Sequence, residues 1–401
     1  MKDFEFSLPT KIIFGQHVQE QVGELSAAIG QRALIMYGSS RVIDCGLMEQ
    51  ITASLKARGV AYRLFGGISP NPLLSQARKA ASAAKAFGAD LILAVGGGSV
   101  IDAAKAAALG AKAGPEMATK ADPDADSDGL WEIYTGKRKA MAALPVGVVL
   151  TMAATASEAN SVSVLRNDAD GKKAALTCPL TYPAFALLNP ELTYSVPAKE
   201  TAIGALDIFS HAFERYFHRE QWGTLRNYLC EAVMKTVIAE LPRAQKEPEC
   251  YEARSQLMWA ATVAHSDMIG KEGVYVCHAM SHVLTAAFGM PHGMALAVLM
   301  PAWCKYVMVK NPGDIAGFAA RVWGVECGGQ NPDSTAQEGI FRFQQFICNS
   351  GLPVTLREAG INNADSAMLT RMLMDSQSYI GENYEKFYQK DIQAMFDLAI
   401  G

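Results

Sequence analysis

One carboxylate and four imidazoles in the second half of the chain have the residue types and spacings of a metal site. Asp207 and His211 lie four residues apart in IGALDIFSHAFERYF, so on a helix they share one face about one turn apart and can chelate one cation. His278 and His282 have the same spacing in a second apolar segment, and His292 follows a proline at a predicted helix start. Four histidines and one aspartate are therefore available, more than the three histidines and one aspartate that one ion needs.

Nitrogen and oxygen ligands of this kind suit Zn²⁺ or Fe²⁺, and a site open to substrate gives the metal a Lewis-acid role. An Asp/His pair at helical spacing also occurs as an ordinary capping or surface contact, and spacing alone leaves both interpretations open. Their joint occurrence in apolar segments favours a metal, because each buried polar group without a partner costs about 1–3 kcal/mol. His218 and His265 lie outside this grouping and are expected to be ordinary packed or exposed histidines.

A glycine-rich turn in the first half has the chemistry of a phosphate-binding loop. VGGGSVID (95–102) follows an apolar strand and opens a predicted helix, so its backbone N–H groups and the helix dipole can hold a pyrophosphate. The alternative is a tight turn that needs glycine for positive φ. A weaker candidate is LTMAATASE (150–158), where Thr151 and Thr155 offer hydroxyls to phosphate or ribose.

The elements that must position these residues differ between the two halves. From about Lys11 to Pro190, short apolar runs such as ALIMY (33–37) alternate with Ala-rich helical stretches, which predicts a doubly wound, mostly parallel α/β sheet. After Pro190 the pattern is helical, with a cap at Pro197 and breaks at Pro242, Pro291 and Pro312. The sequence predicts an α/β domain over 1–190 and an all-helical domain over 191–401.

Composition fits an enzyme of small molecules. The 401 residues are long enough for two cores, and the formal net charge of −4 provides no field that gathers nucleic acid or an anionic membrane. Eight scattered cysteines without a C-x-x-C pair indicate free thiols in a reducing compartment. No leader sequence or membrane-length apolar run is apparent, which predicts a cytoplasmic protein. The acidic stretch 121–129 is expected to be a surface loop.

Taken together, these segments resemble the iron-containing (group III) alcohol dehydrogenase family, and within it the NADPH-dependent butanol dehydrogenase and aldehyde reductase branch. The resemblance spans nearly the whole chain. It rests on PTKIIFG (9–15), LIMYGSS (34–40), PNP (70–72), GGGSVID (96–102), the two threonines of 150–158, EARSQLMWAAT (252–262) and the histidine segments. It implies a Rossmann-like N-terminal domain and a helical C-terminal domain, the architecture of dehydroquinate synthase.

The resemblance also assigns roles to individual residues. It places the metal ligands at Asp207, His211, His278 and His292, and an active-site histidine that is not a ligand at His282. The implied cofactor contacts are Gly38, Ser39, Ser40, Asn71, Gly97, Gly98, Ser99, Asp102, Thr151, Thr155 and Lys173. Three positions depart from the family pattern and put the substrate range in doubt: Ala156 replaces the usual glycine, Asn189 the usual aspartate, and Val283 a frequent glutamate.

The activity that this resemblance implies is NAD(P)H-linked interconversion of primary alcohols and aldehydes, with a divalent metal (Fe²⁺ or Zn²⁺) and a small-molecule substrate. A homodimer is also expected. The alternatives are a lyase like 3-dehydroquinate synthase, a glycerol or polyol dehydrogenase, or a binding protein on the same fold. A lyase for a phosphorylated acid would need basic residues around the metal, whereas the ligand-flanking segments are mostly Ala, Met, Val and Phe.

The turn after the second predicted strand favours NADP(H) over NAD(H). In dinucleotide folds an acid at this strand end binds the ribose 2′-OH and repels a 2′-phosphate. This chain has Gly38 there, followed by Ser39 and Ser40, while Arg41 can add a charged contact. The nearest acid, Asp44, is expected to lie beyond reach. The alternative is a merely flexible turn that binds both cofactors equally.

Overall fold

The computed structural model describes residues 5–113, 129–219, 224–326, 331–375 and 377–401. The chain divides into two compact units, a first unit that ends at Ser195 and a second unit that begins at Val196. The predicted acidic surface loop at 121–129 lies outside the described residues except for Gly129.

Apolar runs in the first unit form one six-stranded sheet, parallel throughout. The spatial order is β1-β8-β5-β4-β2-β3. The strands are β1 (Lys11–Phe14), β2 (Arg32–Tyr37), β3 (Ala61–Phe65), β4 (Leu91–Gly96), β5 (Val146–Leu150) and β8 (Phe185–Leu188). Every residue of β4, β5 and β8 is buried, as expected for parallel strands that are covered on both faces. The predicted doubly wound, mostly parallel sheet is confirmed.

Helices and one small hairpin complete this unit. The helices are α1 (Val22–Ala27), α2 (Arg41–Asp44), α3 (Leu47–Ala57), α4 (Leu74–Phe87), α5 (Gly98–Lys112) and α6 (Leu130–Tyr134). β6 (Val162–Arg166) and β7 (Lys173–Thr177) form an antiparallel pair that the strand–helix alternation does not predict.

Three of the segments with predicted cofactor contacts follow the carboxyl ends of neighbouring strands. Gly38 follows β2, Gly97 follows β4, and Thr151 follows β5. Since β4 lies between β2 and β5 in a parallel sheet, these segments share one edge. Open α/β sheets bind their ligands at this edge.

The second unit is helical, as predicted. Its helices are α7 (Ala198–Tyr216), α8 (Leu225–Lys246), α9 (Tyr251–His265), α10 (Val276–Phe288), α11 (His292–Lys310), α12 (Pro312–Trp323), α13 (Pro332–Asn349), α14 (Ser366–Met374) and α15 (Gln389–Ile400). Within its described residues, the β-structure is a single bridge between Ile380 and Phe387.

The helix breaks predicted from three prolines are partly wrong. Pro291 and Pro312 do mark helix starts, but Pro242 lies inside α8, which continues to Lys246. Pro242 is on the exposed face of α8, where water can satisfy the carbonyl that loses its intrahelical partner. The helix therefore tolerates this proline.

Among the helices that the structure describes, one meets the length and hydropathy of a membrane span, contrary to the sequence-based expectation that no segment approaches them. α11 has 19 residues, and 72% of its most apolar 18-residue window is buried within the structure. It packs against α7, α10 and α15. Its apolar character is therefore that of a core helix.

Candidate metal centre and cofactor loop

α7 presents Asp207 and His211 on one face, as the four-residue spacing predicts. Both side chains are buried, and His211 Nε2 lies 3.5 Å from Asp207 Oδ1. Burial, reinforced by the neighbouring imidazoles of His265 and His278, lowers the pKa of His211 well below its usual value. Neutral imidazole is the form that ligates metals.

α10 and α11 bring two further imidazoles to this pair. One donor atom from each of Asp207, His211 and His278 lies within 4.8 Å of the others. His292 Nε2 lies 3.6 Å from Asp207 Oδ1, and the His278 and His292 rings are 5.3 Å apart between centroids. The four residues that the family resemblance assigns as ligands therefore converge on one place.

The chemistry of this donor set fits a divalent metal. His278 Nε2 and His211 Nδ1 are buried nitrogens for which no described residue offers a hydrogen bond. Such groups are costly unless something else satisfies them. Three imidazoles and one carboxylate are ligands that Zn²⁺ and Fe²⁺ accept.

Two further histidines, His282 and His265, lie next to the four candidate ligands. His282 is half-buried on α10, and its ring centroid lies 5.7 Å from that of His292. The His265 ring, at the end of α9, packs 3.9 Å from that of His211. His265 is therefore a packed histidine, but it packs directly on a candidate ligand, which its sequence position does not reveal.

The glycine turn is built for close approach. Gly97 precedes α5 with φ −92°, and neither it nor its glycine neighbours have positive φ, so the alternative explanation of the turn is wrong. A Cβ on Gly98 would lie 2.5 Å from Thr155 Oγ1, and one on Gly97 would lie 3.2 Å from Met152 Cβ. These glycines let the loop and the threonine segment pack together. Ser99 stands half-buried in the first turn of α5.

Asp102 connects α5 to the hairpin. The Ser157 hydroxyl donates to Asp102 Oδ1 (2.6 Å), and the Val164 N–H donates to Oδ2 (3.0 Å). Burial raises the pKa of Asp102, opposed mainly by Lys105. The carboxylate is thereby held in a fixed orientation, one turn into α5.

A second pair of predicted cofactor residues also meets across the sequence. Lys173 Nζ donates to Asn71 Oδ1 (3.3 Å) although 102 positions separate them. Asn71 has φ +53°, a left-handed conformation that asparagine tolerates better than most residues. The Pro-Asn-Pro turn therefore aims its amide at β7.

Sequence reasoning missed Lys105, a fully buried cation on α5. Its ammonium donates to Asn160 O (2.8 Å), Asn160 Oδ1 (3.2 Å) and Val162 O (2.8 Å). Burial lowers its pKa to about 8, and the carboxylates of Asp102 and Glu158 oppose that shift. The other lysine of α5, Lys112, is exposed, and no local pattern marks Lys105 as the buried one.

Ala156 shows why glycine suits its position. Its φ of +51° lies in the left-handed region, and the residue is 1% exposed. A Cβ in this conformation costs roughly 1 kcal/mol relative to glycine. Thr151 is buried before it, while Thr155 accepts the Ser157 N–H at 3.2 Å.

The turn after β2 has two exposed serines, and one of them contacts an acidic side chain. Ser39 and Ser40 are exposed, and the Ser40 hydroxyl donates to Asp44 Oδ2 at 2.9 Å. The four-residue spacing at the start of α2 thus brings the Asp44 carboxylate to Ser40, and its distance from a bound ribose stays a prediction. A Cβ on Gly38 would lie 3.2 Å from Ile68 O.

A cavity of about 490 Å³ opens within the first unit. Residues that follow β1, β2, β5 and β8 line it, including His17, Arg41, Thr151, Asn189 and Leu192. The buried Asn189 amide donates to Gln19 Oε1 (3.0 Å) and Glu191 Oε2 (3.2 Å). An aspartate there would oppose the Glu191 carboxylate, so this departure from the family pattern fits its surroundings.

Two family profiles together cover most of the chain. The profile of the iron-containing alcohol dehydrogenase family matches residues 9–190, and that of the Fe-containing alcohol dehydrogenase C-terminal region matches residues 201–400. The probable NADH-dependent butanol dehydrogenase 1 of Bacillus subtilis is 36% identical over 92% of this chain and 94% of its own. The NADPH-dependent aldehyde reductase YqhD of Escherichia coli is 32% identical over 96% of each chain.

A solved structure agrees with these sequence relatives. The NADH-dependent butanol dehydrogenase A of Thermotoga maritima superposes with a TM-score of 0.90 at 31% identity, covering 100% of this chain and 99% of the other. The lyase and polyol dehydrogenase alternatives are not favoured by these similarities. Family membership implies a divalent metal and a nicotinamide dinucleotide. The chain belongs to the iron-containing alcohol dehydrogenase family and is an alcohol/aldehyde oxidoreductase.

Proposed function

We propose that this enzyme reduces small unbranched or lightly branched aldehydes to primary alcohols with NADPH, and that Asp207, His211, His278 and His292 hold its divalent metal. The observation that carries the proposal is the convergence of these four side chains from α7, α10 and α11. When bound, the metal supplies Lewis-acid polarisation of the substrate oxygen and the reduced nicotinamide supplies the hydride.

His282 is the proposed proton donor of the reduction. The product oxygen must gain a proton, and an imidazole can donate and accept protons near neutral pH. His282 is half-buried beside His292, with 5.7 Å between the ring centroids, and we assign it as a neighbour of the ligand group and not as a ligand. Water or a ribose hydroxyl would complete its connection to the substrate.

The proposed cofactor contacts lie along the carboxyl edge of the sheet. Gly97, Gly98 and Ser99 offer backbone N–H groups at the start of α5, which favours the pyrophosphate there. The 490 Å³ cavity beside Arg41 and Thr151 is the proposed place of the adenosine. Asp102, Thr155, Asn71 and Lys173 would contact the rest of the dinucleotide.

The preference for NADPH rests on Gly38. Position 38, directly after β2, has glycine instead of an acid, and Ser39 is exposed beside it, which leaves space and donors for a 2′-phosphate. The relatives include NADH-dependent and NADPH-dependent enzymes, so family membership alone does not decide between the cofactors. Arg41 is the proposed cation, acting against the nearby Asp44 carboxylate.

Gly38→Asp is expected to move the preference toward NADH. The new carboxylate would accept from a ribose 2′-OH and repel a 2′-phosphate, so the ratio of kcat/KM for NADPH over NADH should fall at least about tenfold, or about 1.4 kcal/mol. Gly38→Asn is the matched control, since it has the same size without the charge. A wild-type enzyme that uses NADH as well as NADPH, or an equal fall in both variants, would refute the charge argument.

The substrate class is tested by a panel of aldehydes. Butanal is expected to give a higher kcat/KM than any sugar phosphate or acidic aldehyde, because the segments that flank the candidate ligands are rich in Ala, Met and Val. The measurement is NADPH oxidation at 340 nm after loading with Fe²⁺ or Zn²⁺. Faster turnover of a phosphorylated substrate contradicts the proposal.

A cytoplasmic location and a homodimer are also proposed. Seven cysteines among the described residues are free thiols, which supports a reducing compartment. The mass of the enzyme in solution tests the dimer.

A further inference from the structure

Glu214 is a third polar residue on the face of α7 that carries the candidate ligands. It follows Asp207 by seven residues and His211 by three, so all three side chains lie along one stripe of the helix. Its side chain is fully buried. A buried carboxylate needs several hydrogen bonds to remain charged.

The side-chain hydrogen bonds of Glu214 come from the start of α10. Oε1 accepts the Cys277 N–H at 2.7 Å, and Oε2 accepts the His278 N–H at 3.3 Å and also pairs with His278 Nδ1. Tyr275, the residue before this helix, supplies no side-chain cap. Glu214 therefore caps α10 from a neighbouring helix and anchors one edge of the His278 ring.

This contact leaves His278 Nε2 as the nitrogen available for ligation. A carboxylate accepts only from a protonated nitrogen, so the imidazole proton stays on Nδ1. Nε2 is buried and no described residue hydrogen-bonds to it. It is the nitrogen with which His278 can join Asp207 and His211.

Ser281 likewise keeps the imidazole proton of His292 on Nδ1. The Ser281 hydroxyl donates to His278 O at 2.7 Å, so its oxygen is left to accept from His292 Nδ1, 3.1 Å away. Ser281 is fully buried one turn after His278. His292 Nε2 is thereby left facing Asp207 Oδ1, 3.6 Å away.

We propose that Glu214 and Ser281 are positioning residues that fix the tautomer and the direction of His278 and His292, and thus set the metal affinity of the enzyme. The inference rests on the proposed metal site. Neither residue is near enough in sequence to all its partners for spacing to reveal it: Glu214 and His278 are 64 positions apart.

Glu214→Gln tests the first half of the proposal. The amide can accept from His278 or from the helix N–H groups, but its NH₂ group then opposes the other donor. We expect Co²⁺, measured by competition with a chelator on the apo-enzyme, to bind about 10- to 100-fold more weakly, with a changed visible Co²⁺ spectrum. Glu231→Gln is the matched control, because Glu231 is a buried carboxylate of α8 that pairs with Arg321 at 3.0 Å.

Ser281→Ala tests the proposed role of Ser281 toward His292 with a smaller change. If circular dichroism shows that Glu214→Gln is unfolded, the Ser281→Ala result decides whether the inference stands. The Co²⁺ affinity of Ser281→Ala is expected to fall about tenfold. Values within twofold of wild type for the folded variants overturn the inference. If His211→Ala also binds Co²⁺ as wild type does, the proposed metal site itself is wrong, so the two failures are distinguishable.

Discussion

Replacing His211 or His292 with alanine is expected to abolish aldehyde turnover while the chain stays folded. Each change removes one imidazole from a group of four converging donors. Loss of an outer partner of a metal ligand already costs about 10- to 100-fold, so loss of a ligand should cost more. The measurement is NADPH-dependent reduction of butanal by metal-loaded protein, together with bound metal per chain and the circular dichroism spectrum.

His265→Ala is the control for this experiment, since His265 packs on the His211 ring but is not a proposed ligand. It should retain one metal per chain and measurable turnover. Near-normal rates in His211→Ala after chelation and dialysis would show that catalysis needs no metal at this site. Metal loss in His265→Ala equal to that in His211→Ala would instead place His265 among the ligands.

Lys105→Met is expected to lower the free energy of unfolding by about 3–5 kcal/mol at pH 7.5. Methionine matches the aliphatic part of lysine but has no ammonium, so the Asn160 and Val162 carbonyls lose their buried donor. The Asp102 carboxylate also loses its nearby cation. Denaturant unfolding of the two proteins measures the difference.

The stability gap between wild type and Lys105→Met should widen with rising pH. Burial holds the pKa of Lys105 at about 8 in the folded protein, below the usual 10.5. Between pH 8 and 10.5 the unfolded chain keeps a proton on Lys105 that the folded chain loses. The free energy of unfolding of the wild type therefore rises with pH over this range. The full change is about 3 kcal/mol, at about 1.4 kcal/mol per pKa unit. A gap that is constant or narrower at pH 9.5 refutes burial of a titrating amine.

The features that the sequence predicts best are those determined by residues close together in the chain. The strand β4, the glycine turn and α5 follow one another within 22 residues, each with its own period and boundary signals. The Asp207/His211 pair was equally visible, because a helix converts a spacing of four into a shared face. Pro242 misled because a break signal depends on whether the proline faces solvent, which local sequence does not state.

Contacts between distant segments could not be predicted. Glu214 has the same residue type as exposed glutamates elsewhere, and only the packing of α7 against the start of α10 gives it a role. The family resemblance supplied the ligand set as a whole, but it identified none of these supporting contacts.

The stripe on α7 has a consequence for how the gene tolerates insertions and deletions. Asp207, His211 and Glu214 share a face only while the count between them is kept, because each residue turns a helix by about 100°. One residue added or removed between Asp207 and Glu214 would turn the later side chains away from their partners. The loop between α9 and α10 has no such periodic constraint, so length changes that disable the enzyme should be concentrated in the helix.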